Sequence, residues 1–265
     1  MPVDPAKPRR IIVVHGVQAD SDEEQHQDQE LERLIQTRLG GAPLDFEMEM
    51  YRYENINDEA QGKLRAVLNL FLTNIIAQKA VDLAVDVVGD VVIALQNGST
   101  AYTIRQGLVE RIQKIHDEGY PLYVVAHSLG SIYAFDAVNQ LIGTAGYFAR
   151  DDRKTWPVQG LVTIGSPLGL SMFRRNRVRP LGAGAKSKFL RWINYWDRTD
   201  PIVTGSFYGK PNQGYTIVER FATDDPEVGW IVQDRVADVG KAWLAAHVGY
   251  WSHPGLGDDL VSLLG

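Results

Sequence analysis

Residues Leu122-Tyr123-Val124-Val125 run without a polar break into Ala126-His127-Ser128-Leu129-Gly130, and an apolar helical pattern over Ser131–Leu141 follows at once. A fully apolar run of this length reads as a strand buried on both faces, the kind found in parallel sheets with helices above and below. Going from such a strand straight into a helix leaves room only for a sharp turn. Small residues two before and two after the serine, Ala126 and Gly130, let strand and helix pass close together. The pattern is G-x-S-x-G with alanine at the first small position, and it predicts Ser128 on a strained backbone.

Other segments fit the same architecture. Ile11–His15, Asp45–Tyr53, Leu161–Ile164 and Phe189–Trp196 read as strands. Gln25–Leu39, with Leu31, Leu34, Ile35 and Leu39 on one side, reads as a helix, as does Thr103–Asp117 with Ile104, Leu108, Ile112 and Ile115. Ala242–Ala246 and Asp258–Leu264 read as terminal helical pieces. Strands alternating with helices predict an α/β class with a mostly parallel central sheet covered on both faces. At 265 residues, with no Gly/Ser/Pro linker, the chain reads as a single domain, 1–265, carrying a helical insertion or cap over 54–100.

Within that insertion, Leu64–Leu95 is the most apolar tract, but Lys79, Asp82, Asp86 and Asp90 interrupt it, so it does not read as a transmembrane segment. Amphipathic helices fit better, either packed on the sheet or capping an apolar pocket. The net charge of −6, from 27 Lys+Arg against 33 Asp+Glu, argues against nucleic acid as a partner. The absence of cysteine excludes disulfides, a thiol nucleophile and thiolate metal ligands. The first ten residues, MPVDPAKPRR, lead directly into IIVVHG with no signal-peptide core, and the expected location is cytoplasmic.

A nucleophilic serine needs a base, and the base an orienting acid. Of the six histidines, His15 and His127 lie beside other motif elements, and His26 and His116 sit on polar helices and read as surface residues. That leaves His247, in an expected loop before the last helix, with His253 as second choice. His247 otherwise packs among Trp243, Tyr250 and Trp251. For the acid, Asp200 precedes Pro201 just beyond a strand, and the proline restricts it to an extended or turn conformation. Asp197 is the second choice. Serine, acid and histidine then follow one another as Ser128, Asp200, His247.

The stretches IIVVHG, VVAHSLGS, VTIGSPLG, WDRTDPIV and AHVGYW resemble the α/β-hydrolase superfamily, specifically its bacterial serine esterase and lipase-like members. The resemblance covers residues 11 to 265 and implies Ser128 as nucleophile, His247 as base and Asp200 as orienting acid. It implies the backbone N–H groups of Leu129 and Val17 as oxyanion donors, with His15-Gly16 at the end of the first strand beside them. Alanine replaces the first glycine of the serine motif, and Val17 stands where many members carry glycine.

The implied reaction is ester hydrolysis through an acyl-enzyme, without cofactor or metal, on a small-molecule ester with an apolar acyl part. Transient contact with a lipid surface fits a lipase-like member, and the oligomeric state is left open. Two alternatives stand beside it: a thioesterase or lysophospholipase using the same residues, and a non-catalytic binding protein that keeps the fold. Arg174, Arg175, Arg177 and Arg179 read as a solvated loop, or as a patch steering an anionic group. Gly182–Ser187 lacks the glycine before lysine that a phosphate loop needs.

Overall fold

The computed structural model describes residues 2–16, 26–53, 99–144, 147–148, 155–169, 190–204, 232–240 and 244–265. In chain order these hold β1 (Arg9–Val14), α1 (Gln27–Leu39), β2 (Phe46–Tyr51), α2 (Ser99–Asp117), β3 (Leu122–His127), α3 (Gly130–Gly143), β4 (Gly160–Ile164), β5 (Arg191–Trp196), the single turn α4 (Pro201–Thr204), β6 (Val232–Val236), α5 (Leu244–Val248) and α6 (Pro254–Leu264). The strands form one sheet in the order β2-β1-β3-β4-β5-β6, and every neighbouring pair is parallel.

Alternation along the strands divides the core in two. Ile12, Val14, Val124 and Ala126 face a layer built from Ile104, Leu108, Ile112, Ile132 and Phe135 of α2 and α3. Ile11, Val13, Tyr123 and Val125 face Leu31 and Ile35 of α1 and Leu256, Leu260 and Leu263 of α6. Buried apolar runs therefore become central strands because both of their faces are covered. The expected α/β class, with helices on both sides of a parallel sheet, is the observed one.

Differences from the sequence expectations have local causes. Strand β6 was not anticipated: Val-Gln-Asp-Arg-Val sits at the sheet edge and buries only Val232. A polar ladder pins it instead. Thr163, Asn194 and Asp234 are in register on adjacent strands. The Thr163 hydroxyl donates to Asn194 Oδ1 at 2.8 Å, and Asn194 Nδ2 donates to Asp234 Oδ1 at 2.7 Å. Helix α6 starts at Pro254 rather than Asp258, because proline at a helix's first turn has no N–H to satisfy and a φ already suited to it.

Helix α2 begins at Ser99, four residues before its first expected position. The insertion expected at 54–100 lies outside the described residues up to 98, and Ser99 and Thr100 belong to the first turn of α2. One histidine assignment is corrected. His26 is exposed, but His116 is buried in the last turn of α2, where its ring lies 5.7 Å from that of Tyr147. Among the described residues, no helix is long and apolar enough to cross a membrane.

Candidate active site

All six strands run the same way, so the turns leaving β1, β3, β4 and β5 emerge along one edge of the sheet, where open α/β folds build their sites. Ser128 leaves β3 with φ +52°, and among the described residues it is the one non-glycine with positive φ. That conformation is disfavoured for an L-residue by about 1–2 kcal/mol and persists only where its surroundings hold it. The Ser128 N–H donates to the Ile164 carbonyl at 3.0 Å. Its own carbonyl accepts the Ser131 hydroxyl at 2.5 Å and the Ser131 N–H at 3.1 Å. Ser131 Oγ in turn lies 2.6 Å from Ser166 Oγ, which links the turn after β3 to the turn after β4.

The small residues of the motif answer to specific neighbours. A Cβ on Gly130 would fall 2.2 Å from the His15 carbonyl oxygen and 2.6 Å from that of Val14, so α3 starts against the end of β1 with no room to spare. Ala126 is fully buried inside β3, where its methyl packs in the core on the α2 and α3 side. Gly16 passes so close to the serine that a Cβ there would lie 2.6 Å from Ser128 Cβ.

His247 Nε2 lies 2.8 Å from Ser128 Oγ, and its Nδ1 lies 2.9 Å from Asp200 Oδ2. The carboxylate fixes the proton on Nδ1 and leaves Nε2 to accept from the serine hydroxyl. His247 sits in the short helix α5 rather than in the expected loop, and is 5% exposed. Asp200 is fully buried and caps α4. Its Oδ1 accepts the Ile202 N–H at 2.9 Å, and its carbonyl accepts the Thr204 N–H at 3.0 Å. The proline that follows starts that single turn, which aims the carboxylate back from the strand end.

The second choices lie elsewhere. Asp197 accepts from the Thr199 N–H and hydroxyl, both at 2.7 Å, and from the Val239 N–H at 3.1 Å. Its carboxylate thus ties the β5 turn to the segment after β6. His253 caps the start of α6, with its ring 5.7 Å from that of Tyr195.

His127 is buried and donates from Nε2 to the His247 carbonyl at 2.8 Å. Burial, then the nearby His247, push its pKa well below the ordinary histidine range, so it stays neutral beside the site. The His15 ring bonds the Gly16 carbonyl through Nδ1 and stacks on Tyr53 at 4.6 Å, and the Tyr53 hydroxyl donates to the His15 carbonyl at 3.0 Å. Leu129 lies between Ser128 and α3, so its N–H is one of those a helix start leaves without an intrahelical acceptor. Val17, the arginine cluster Arg174–Arg179 and Gly182–Ser187 lie outside the described residues. Among the described residues, no group of three or more His, Asp or Glu side chains is placed to hold a metal ion.

Sequence reasoning missed two contributors. Gly165, with φ +57°, makes room for the imidazole: a Cβ there would stand 3.0 Å from His247 Nδ1. Its position directly after a buried strand was the available signal. Tyr250, named from sequence only as a packing neighbour, donates its hydroxyl to Asp200 Oδ2 at 2.8 Å.

No known family model matches the chain, and no curated protein matches it. Several solved structures are similar to it. A cutinase-like protein from Cryptococcus sp. shares 12% identity at a TM-score of 0.38, over 100% of this chain and 98% of that one. An alpha-beta serine hydrolase homologue from Coxiella burnetii shares 10% at a TM-score of 0.39, over 100% and 88%. An acetyl xylan esterase shares 11% at a TM-score of 0.31, over 98% and 100%. With a parallel six-strand sheet layered between helices, and a serine in left-handed conformation on the turn from β3 into α3, the chain has the α/β-hydrolase fold.

Proposed function

We propose that the protein is a serine hydrolase that cleaves carboxylic esters through an acyl-enzyme. The observation that carries the reading is the continuous contact from Ser128 Oγ to His247 Nε2 at 2.8 Å and from His247 Nδ1 to Asp200 Oδ2 at 2.9 Å. His247 takes the Ser128 proton as Oγ bonds to the ester carbonyl carbon, and Asp200 stabilises the imidazolium that forms. The tetrahedral oxyanion is received by the Leu129 and Val17 N–H groups. Collapse expels the alcohol, which takes the proton from His247. Water then attacks the acyl-enzyme by the same route and frees the acid.

The apolar tract within 54–100 of the sequence directs this reading to an acyl chain or another apolar group. A small-molecule ester with an apolar acyl part is the substrate class it implies. A thioester or lysophospholipid would be handled by the same steps and differs only in the pocket. A purely binding role accounts poorly for a serine held at φ +52° against an imidazole, since that strain serves no adhesive purpose.

The test is hydrolysis of a chain-length series of nitrophenyl esters by wild type and Ser128→Ala, with fluorophosphonate labelling alongside. Turnover and labelling that both vanish in the variant support the reading, and the preferred chain length sizes the pocket. Ester hydrolysis unchanged in Ser128→Ala, or a wild type that neither turns over nor labels, overturns it.

A further inference from the structure

Tyr250 is fully buried in the short 3₁₀ turn Gly249–Ser252 that follows α5, three residues beyond His247. Its hydroxyl oxygen accepts the Asp197 N–H at 2.8 Å, and its proton goes to Asp200 Oδ2 at 2.8 Å. That is the same oxygen His247 Nδ1 approaches at 2.9 Å, while Asp200 Oδ1 is occupied by the Ile202 N–H at 2.9 Å. The carboxylate therefore takes three donors, and two of them share one oxygen.

Two effects follow. With both oxygens clipped by groups other than His247, the carboxylate cannot rotate away from the imidazole. A hydrogen bond from a buried phenol also draws negative charge out of the oxygen that faces the imidazole. The Asp197 N–H strengthens this by polarising the phenol from behind. Burial first, and the Asp200 charge next, raise the Tyr250 pKa well above the ordinary tyrosine range, so the phenol keeps the proton it donates.

We propose that Tyr250 is a positioning residue that sets how strongly Asp200 holds the protonated form of His247. This rests on the assignment of Ser128, His247 and Asp200 given under the proposed function. Other titratable groups face the same cluster. His127 at the end of β3 has its ring 4.7 Å from that of His247, and His15 at the end of β1 acts on His127. Asp197 beyond β5 has its carboxylate engaged by Thr199 and Val239. All of them remain in Tyr250→Phe, which removes the phenol hydroxyl alone.

The experiment follows the rate of fluorophosphonate labelling at Ser128 against pH, in wild type and Tyr250→Phe, and so needs no knowledge of the natural substrate. Without the phenol donor, Oδ2 carries more charge and holds the imidazolium more firmly. The variant's acid limb then moves to higher pH by about half a unit. With Oδ2 no longer clipped by the phenol, the carboxylate loses part of its fixed aim at Nδ1, and the plateau rate falls about tenfold. In an Asp200→Asn background the Tyr250→Phe effect shrinks to near nothing, because the tyrosine acts through the carboxylate.

If Tyr250→Phe does not fold, Tyr250→3-fluorotyrosine, which keeps the hydroxyl and makes it a stronger donor, shifts the limb the opposite way, to lower pH. A lower plateau with an unmoved limb, or an effect undiminished beside Asp200→Asn, overturns the Tyr250 role and leaves the serine hydrolase standing. A wild type that does not label at Ser128 overturns the hydrolase reading itself, and the Tyr250 role with it.

Discussion

Gly16 passes hard against Ser128 itself, and this makes Gly16→Ala a severe test. The added Cβ would lie 2.6 Å from Ser128 Cβ, 3.2 Å from Ser128 Oγ and 3.3 Å from the His127 carbonyl oxygen. Carbon atoms in comfortable contact stand about 3.5–4.0 Å apart, so roughly 1 Å must be found by moving one of the two chains. Ser128 cannot supply it cheaply. Its φ is already +52°, and its N–H and carbonyl are held by Ile164 and Ser131. The displacement falls instead on the end of β1 and on Gly16, the segment that leads into the expected oxyanion donor.

A misplacement of about 1 Å at reacting groups costs on the order of 10²-fold in rate, while an overpacked methyl costs about 1–3 kcal/mol in stability. Gly16→Ala therefore folds with a lowered midpoint in urea, and labels with fluorophosphonate about a hundredfold more slowly than wild type. Gly143→Ala is the matching control, because a Cβ at the end of α3 meets nothing within 4 Å. It should be neutral or gain up to about 1 kcal/mol, with labelling unchanged. A Gly16→Ala protein that labels within about threefold of wild type would show that the contact is looser than the geometry requires.

Asp200→Asn should lower ester turnover by about 10³–10⁴-fold, because an amide beside Nδ1 favours the wrong tautomer. Asp197→Asn, whose side chain bonds Thr199 and Val239 instead, should cost stability more than rate; equal rate losses in a comparison of the two would move the acid. For His116, burial lowers the pKa below the ordinary 6.5. The unfolded chain then binds more protons below pH 6.5, so this contribution is present above 6.5 and is lost as pH falls through 6.5 toward the folded value. His116→Gln should thus narrow the drop in urea midpoint between about pH 7.5 and about pH 5, and an unchanged drop would count against it.

The parts of the molecule legible in sequence were those whose requirement is local. The strand into Ser128 announces itself because a buried strand, a serine and a helix crowd into ten residues, Leu122–Ser131. Asp200 was readable because the proline beside it limits where a carboxylate can point, and that proline does start the turn that aims it. Strand β6 was not readable, since an edge strand held by an Asn194–Asp234 hydrogen bond shows no apolar run. His116 was misread as a surface residue for a similar reason. Its helix is polar in that turn, and what covers it is Tyr147, 31 residues further on, which no helical pattern can announce.

The same distinction runs through the site. Ser128, His247 and Asp200 carry reactive groups, so residue type alone narrows the choice. What holds them uses ordinary residues brought in by the sheet. The turn after β4 does this twice over: Gly165 leaves the space His247 occupies, and Ser166 bonds Ser131, which bonds the Ser128 carbonyl. Because β4 lies between β3 and β5, that turn stands between the serine and the carboxylate, and it can brace both sides at once. In sequence it reads only as a strand ending in Gly-Ser-Pro. Its part in the site follows from strand order, and strand order is a property of the whole sheet that no short stretch of residues encodes.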